Sequence, residues 1–252
     1  MKKLENKKFD YSVIIEARMN SSRLPGKMMK KILNKPIIDY LIDRLKLIKE
    51  VDQIIIATTK NKKDNLIVNF AKKKNINFYR GSENNVLQRV VRASEKYQVK
   101  NIVSICGDNP ILDPNIIADM IKFHKKYKYD CVTNSFVKSF PRGMDAVIVK
   151  QKLLQISLKY GSSKLYKEHV TLYTNHNQKK FKVKNYMSSK PTYWPELSVS
   201  LDEIADFKLI KNIIEYFVKK KIRSFGCKEI VNLLKYKKKN WIKINQKVKR
   251  KS

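Results

Sequence analysis

Cysteine is scarce in this chain: three in 252 residues, at positions 106, 131 and 227. They are odd in number, far apart and form no C-x-x-C pair. Neither a disulfide framework nor a zinc ribbon is expected, and free, packed thiols in a reducing cytoplasm are. The three histidines show no ligand spacing that would make a zinc site. Glycine is equally sparse, six residues. Neither G-x-x-x-x-G-K-[ST] nor G-x-G-x-x-G occurs, which excludes a Walker loop and the dinucleotide fingerprint. No apolar run reaches the length of a membrane span. The opening Met1-Lys2-Lys3 imitates a secretory leader, but its apolar part, Tyr11 to Ile15, is cut short by Glu16 and Arg18. Export is therefore not expected, and a cytoplasmic location is. No internal repeat and no linker rich in Gly, Ser or Pro divides the chain.

Acidic residues are few as well, 22 against 56 Lys and Arg, for a formal net charge of +34. Such a balance invites a nucleic-acid reading. The lysines, however, are spread along the whole length, as at 72–74, 125–126, 219–221 and 237–239. No zinc finger or RNP-like aromatic pattern accompanies them. A solvated basic surface is expected, with a basic RNA-binding module kept as an alternative. In either case the field favours an anionic substrate.

What is present is a globular composition, 42% hydrophobic and 10% aromatic, with strands and helices in alternation. Ser12 to Ile15 reads as a buried strand and Pro36 to Lys49 as an amphipathic helix. Gln53 to Thr58 is a second strand, followed by a polar helix near 61–74 and a short strand near Phe78. Asn85 to Tyr97 is helical, Asn101 to Cys106 a third apolar strand, and Pro114 to Tyr127 a helix. This order predicts an α/β fold: a Rossmann-like, mainly parallel sheet with helices on both faces. The second half is less regular. Ala146 to Val149 and Leu197 to Leu201 read as strands, a helix starts near Lys167 and reaches toward His176, and a helix follows Glu203. One domain over residues 11–235 is expected, with a sub-region at about 137–195 and a loosely ordered basic tail at 236–252.

Two loops carry chemistry. After the first strand come Arg18, Asn20, Ser21, Ser22, Arg23, Gly26 and Lys27. Three cations, two hydroxyls and free backbone N–H groups at one strand end describe a polyphosphate seat, although a basic surface loop has the same composition. After the third strand comes Asp108, by itself an ordinary turn residue. Parallel sheets bind ligands beyond the carboxyl ends of their strands, where both loops lie. A carboxylate facing a polyphosphate there suits magnesium.

At these residues the sequence resembles the sugar-acid cytidylyltransferases of the CMP-KDO and acylneuraminate type, most nearly the spore coat polysaccharide biosynthesis protein F branch. The resemblance rests on Glu16-Ala17-Arg18, on Ser21 to Lys27, and on Tyr79 to Arg89. It continues through Gly107-Asp108-x-Pro110, Phe140 to Asp145, Glu168 to Thr171 and Ser198 to Asp202, and covers roughly residues 12 to 218. It implies a nucleotidyltransferase fold of the GT-A type that uses CTP, Mg2+ and a sugar acid and releases pyrophosphate. It implies nucleotide binding by Ala17, Arg18, Ser21, Ser22, Arg23 and Lys27, with Lys27, Arg18 and Arg23 catalytic. Gly81, Ser82, Val86, Arg89, Gly107 and Asp108 fall beside the nucleotide. Arg142, Asp145, Glu168 and His169 fall to the acceptor, and Asp108 and Asp202 to the metal. A homodimer through the 137–195 region is implied too. Asn109 stands where the family more often has Cys or Ser, and the Asp202 motif is looser than the family's Val-Asp-Thr. The alternative enzyme is a nucleotidyltransferase that joins a sugar 1-phosphate to another NTP. A glycosyltransferase of the same fold would carry an Asp-x-Asp pair, where this chain has Asp108 alone.

Overall fold

The computed structural model describes residues 9–222 and 224–248; the first eight residues of the expected polar leader, and residues 249–252 of the tail, lie outside them. The chain runs β1 (Phe9–Glu16), β2 (Lys31–Ile32), β3 (Lys35–Pro36), α1 (Ile37–Leu45), β4 (Gln53–Thr59), α2 (Asn65–Lys73), β5 (Asn77–Gly81), α3 (Val86–Lys96), β6 (Val99–Cys106) and α4 (Pro114–Tyr127). It continues through β7 (Cys131–Thr133), β8 (Val147–Lys150), α5 (Gln151–Tyr160), α6 (Lys164–Glu168), α7 (Leu172–His176), β9 (Val183–Asn185), α8 (Ile204–Lys219) and α9 (Cys227–Asn232).

Seven strands form one sheet in the order β5-β4-β1-β6-β8-β7-β9. The first four are mutually parallel, β8 runs antiparallel to both its neighbours, and β9 is parallel to β7. Successive side chains of a strand point to opposite faces. Val13 and Ile15 therefore join one core with Ile56, Val103 and Ile105, while Ile14 joins another with Ile55 and Ile102. α1, α2, α4 and α8 cover the first core, and α3 and α5 the second. This is the expected Rossmann-like arrangement. Helix starts are locally encoded. Asn85 accepts from the Gln88 N–H at 2.9 Å to cap α3, and Asp113 accepts from the Asn115 N–H at 2.9 Å to cap α4, with Pro114 at a position that needs no donor.

Four expectations give way. Leu197 to Leu201 is no strand of the sheet but an extended segment with one bridge, Arg142 to Ser198. Its apolar alternation reflects burial against the turn before β8, not strand pairing. The helix toward His176 is broken into α6 and α7, with His169 already in extended backbone. Cys106 is exposed, whereas Cys131 and Cys227 are packed as expected. Residues 236–248 are not loose: Trp241, Ile242 and Ile244 pack on the core, and Asn245 donates to the Ser198 carbonyl (3.0 Å) and to Asp206 (2.8 Å). Their lysines hid a short apolar face. The 137–195 stretch contributes β8 and β9 to the main sheet. No helix among the described residues is long and apolar enough to cross a membrane.

Candidate active site

In this sheet the strand order reverses at β1, the place where open α/β sheets leave a crevice. A cavity of about 650 Å³ opens there. Its walls come from the loop after β1, the end of β6, the first turn of α3, the turn before β8 and the 195–202 segment. β8 is antiparallel, so its beginning rather than its end lies at this edge, with Val147 opposite Ser104. That brings Arg142 and Asp145 to the loops of β1 and β6. Three backbone hydrogen bonds dock the 195–202 segment: Arg142 N–H to the Leu197 carbonyl (2.9 Å), Val199 N–H to the Arg142 carbonyl (2.8 Å) and Leu201 N–H to the Asp108 carbonyl (2.8 Å). Asp206 then accepts from the Asp202 and Glu203 N–H groups (3.1 and 2.9 Å), fixing the turn that presents Asp202.

The centre of the site is Lys27, only 8% exposed. Its ammonium donates to Asp108 Oδ2 at 2.7 Å and the Leu201 carbonyl at 2.8 Å, and lies 3.4 Å from Asp202 Oδ1. Asp202 also pairs with Arg23 (3.0 Å) and Arg142 (3.4 Å). The basic loop is held from behind by Asp64, which is fully buried and accepts from the Met19 N–H (2.7 Å), Thr58 Oγ1 (3.0 Å) and the Thr59 N–H (3.0 Å).

Of the residues expected from sequence, Ala17, Arg18, Ser21, Ser22, Arg23 and Lys27 all line the cavity. So do Val86, Arg89 and Asp108. Arg142, Asp145, Glu168, His169 and Asp202 complete the set, with Glu168 and His169 exposed at its mouth. Gly81, Ser82 and Gly107 lie behind the wall. A Cβ on Gly81 would fall 2.9 Å from Arg89 Cγ, and one on Gly107 would fall 2.9 Å from Met28 Sδ and 3.0 Å from the Glu16 carbonyl. Both glycines let neighbouring site elements close up. The Ser82 carbonyl accepts from the Arg89 guanidinium.

Sequence reasoning passed over Glu16, Cys106, Ser135, Lys138, Phe140 and Glu196, which also line the cavity. Glu16 carried a usable signal: a carboxylate closing an apolar strand at the switch point. Phe140 opens the motif that runs to Asp145; the other four carry none, since long-range docking brings them in. Burial raises the Glu16 pKa, opposed by the Ser104 hydroxyl and the Arg89 charge. Burial likewise raises Asp145, against the Gly143 N–H bonded to it. On the otherwise exposed Cys106, the thiol is pushed well above its ordinary value by desolvation and by the charges of Glu16, Asp108 and Asp145.

The sequence profile of the family described as Cytidylyltransferase matches residues 12–247. That span takes in every element of the cavity. The chain belongs to the cytidylyltransferase family. Its uncharacterized relative MJ1063 of Methanocaldococcus jannaschii is 34% identical over 206 residues, covering 81% of this chain and 83% of that one. The spore coat polysaccharide biosynthesis protein SpsF of Bacillus subtilis is 29% identical over 211 residues, covering 82% and 87%. Among solved structures, a cytidylyltransferase from Leptospira borgpetersenii superposes with a TM-score of 0.85 at 28% identity, covering 97% of this chain and 100% of that one. The chain is thus a nucleotidyltransferase enzyme.

No group of three or more His, Cys, Asp or Glu among the described residues could hold a metal by itself. Asp108 and Asp202, however, converge on one ammonium. Two carboxylates beside the cationic loop fit magnesium, which takes one or two carboxylates and completes its shell with phosphate oxygens and water.

Proposed function

We propose that this cytidylyltransferase transfers CMP from CTP to a sugar acid of the KDO or nonulosonate type, releasing pyrophosphate, in the cytoplasmic synthesis of surface polysaccharide. The observation that carries the reading is Lys27, buried between Asp108 and Asp202 at the floor of a cavity large enough for a nucleotide and a sugar together. SpsF, whose name assigns it to polysaccharide biosynthesis, supports the sugar part of the reading.

A hydroxyl of the acceptor attacks the α-phosphorus of CTP, the bond to the bridging oxygen breaks and pyrophosphate leaves. Such a displacement depends on in-line positioning and charge stabilisation more than on covalent help. The hydroxyls of Ser21 and Ser22 and the cations Arg18, Arg23 and Lys27 hold the triphosphate, and Lys27 and Arg23 stabilise charge gathering on the leaving group. Arg142, Asp145, Glu168 and His169 orient the acceptor from the opposite wall. Asp108 and Asp202 would hold Mg2+, which when bound neutralises phosphate charge and polarises the reacting phosphoryl group. A homodimer through the 137–195 region belongs to the same proposal and would cover the exposed Ile156, Tyr160 and Leu165; a purified chain that sediments as a monomer refutes that part.

A pyrophosphate-release assay with magnesium, each of CTP, UTP, GTP and ATP, and a panel of 2-keto sugar acids and sugar 1-phosphates tests the reading. Release is expected with CTP and a keto acid. Turnover confined to a sugar 1-phosphate and another NTP would replace the reading. RNA binding that survives physiological salt, with no nucleotide turnover, would replace it with the RNA-binding alternative.

A further inference from the structure

The floor of the cavity holds a carboxylate that the chemistry above leaves unused. Glu16 ends β1 and pairs in register with Cys106 of β6, so the two side chains rise on the same face at the same edge. Glu16 Oε1 accepts from Ser104 Oγ at 2.6 Å. Among the described residues Oε2 has no hydrogen-bond partner. Beside it lies Arg89, 2% exposed, whose Nε is buried without a partner although its guanidinium also reaches the Ser82 carbonyl. Buried polar groups are ordinarily satisfied, and a carboxylate oxygen facing a cavity calls for a donor from the occupant.

Position says which part of the occupant. If the triphosphate lies on Arg18 to Lys27 and the base over Val86 and Arg89, the sugar joining them crosses the end of β1, where Glu16 stands. We propose that Glu16 is a specificity-determining residue whose carboxylate accepts a hydrogen bond from a ribose hydroxyl, making the site select ribonucleotides over deoxyribonucleotides. The inference rests on the CTP reading above. The Ser104 hydroxyl holds the carboxylate toward the cavity.

Calorimetric titration of CTP, 2′-deoxy-CTP and 3′-deoxy-CTP, with magnesium, into wild type, E16A and E16Q tests this. Wild type is expected to prefer CTP over one of the deoxy analogues by about 10- to 100-fold, the range of a hydrogen bond to a charged acceptor. E16A should lose that preference by weakening CTP alone. E16Q, whose side-chain oxygen still accepts, should keep part of it and, as the isosteric change, guards against misfolding. E16A binding CTP as tightly as wild type, or a wild type indifferent to both ribose hydroxyls, overturns the assignment. So does an effect of E16A confined to the sugar acceptor. A ribose preference that depends on Glu16 but appears with UTP and not CTP would keep this inference and sink the cytidylyl reading. A wild type that binds no nucleoside triphosphate overturns both.

Discussion

Replacing Lys27 with Met keeps the aliphatic stem that packs in the loop and removes only the ammonium. The structure sets the size of the effect. Three oxygens face that ammonium, at 2.7, 2.8 and 3.4 Å. Breaking a fully buried pair by removing one partner costs about 3–5 kcal/mol. Here Asp108 is 22% exposed along its side chain and can rehydrate, while Asp202 keeps Arg23 at 3.0 Å and Arg142 at 3.4 Å. The loss should therefore be smaller, about 1–3 kcal/mol. At this chain length that lowers the melting temperature by roughly 2–12 °C. Turnover should fall further than stability explains, by about 10²–10³, because on the proposed mechanism the lost charge also faces the leaving pyrophosphate. Urea unfolding and pyrophosphate release on the same preparations separate the two. Adding D108N to K27M should recover stability, since the orphaned carboxylate is gone, but not turnover. A K27M protein with wild-type stability and near-normal turnover would refute the reasoning, as would a double variant that regains activity.

Two further outcomes follow from buried groups. D64N keeps one acceptor oxygen and puts an NH2 in place of the other, so that donors face either the Met19 or the Thr59 N–H; about 2–3 kcal/mol of stability should be lost, and the Km for nucleotide should rise because the loop after β1 loosens, both checked by urea unfolding and steady-state kinetics. His124 is 2% exposed against Tyr11, and burial lowers its pKa from 6.5 to about 4. The unfolded chain binds the extra proton first, so this contribution is complete above pH 6.5 and is lost as pH falls from there through about 4. H124F should flatten that part of the stability–pH curve by on the order of 2–4 kcal/mol; parallel curves for the two proteins would refute it.

Much of this was legible along the chain. Val13, Ile14 and Ile15 could only sit in a strand covered on both sides, and the run of such strands with amphipathic helices between them dictates a parallel sheet. The cationic loop and Asp108 each follow a strand, so their shared edge comes from chain direction alone. Asn85 and Asp113 announce their helices by local hydrogen bonding. All of these follow from periods of two or 3.6 residues and from neighbours a few positions apart.

The tertiary structure decided the rest. That β8 enters the sheet reversed, presenting Arg142 and Asp145 to the β1 loop, depends on pairing between residues 104 and 147. That Asp202 reaches Lys27 depends on Leu201 bonding to Asp108 and on Asn245 bracing Asp206 and Ser198. Glu16 could be placed at the ligand edge from the chain, but its partners Ser104 and Arg89 come only with the fold. Each is a contact between distant positions, set by packing and by hydrogen bonds that no local periodicity encodes.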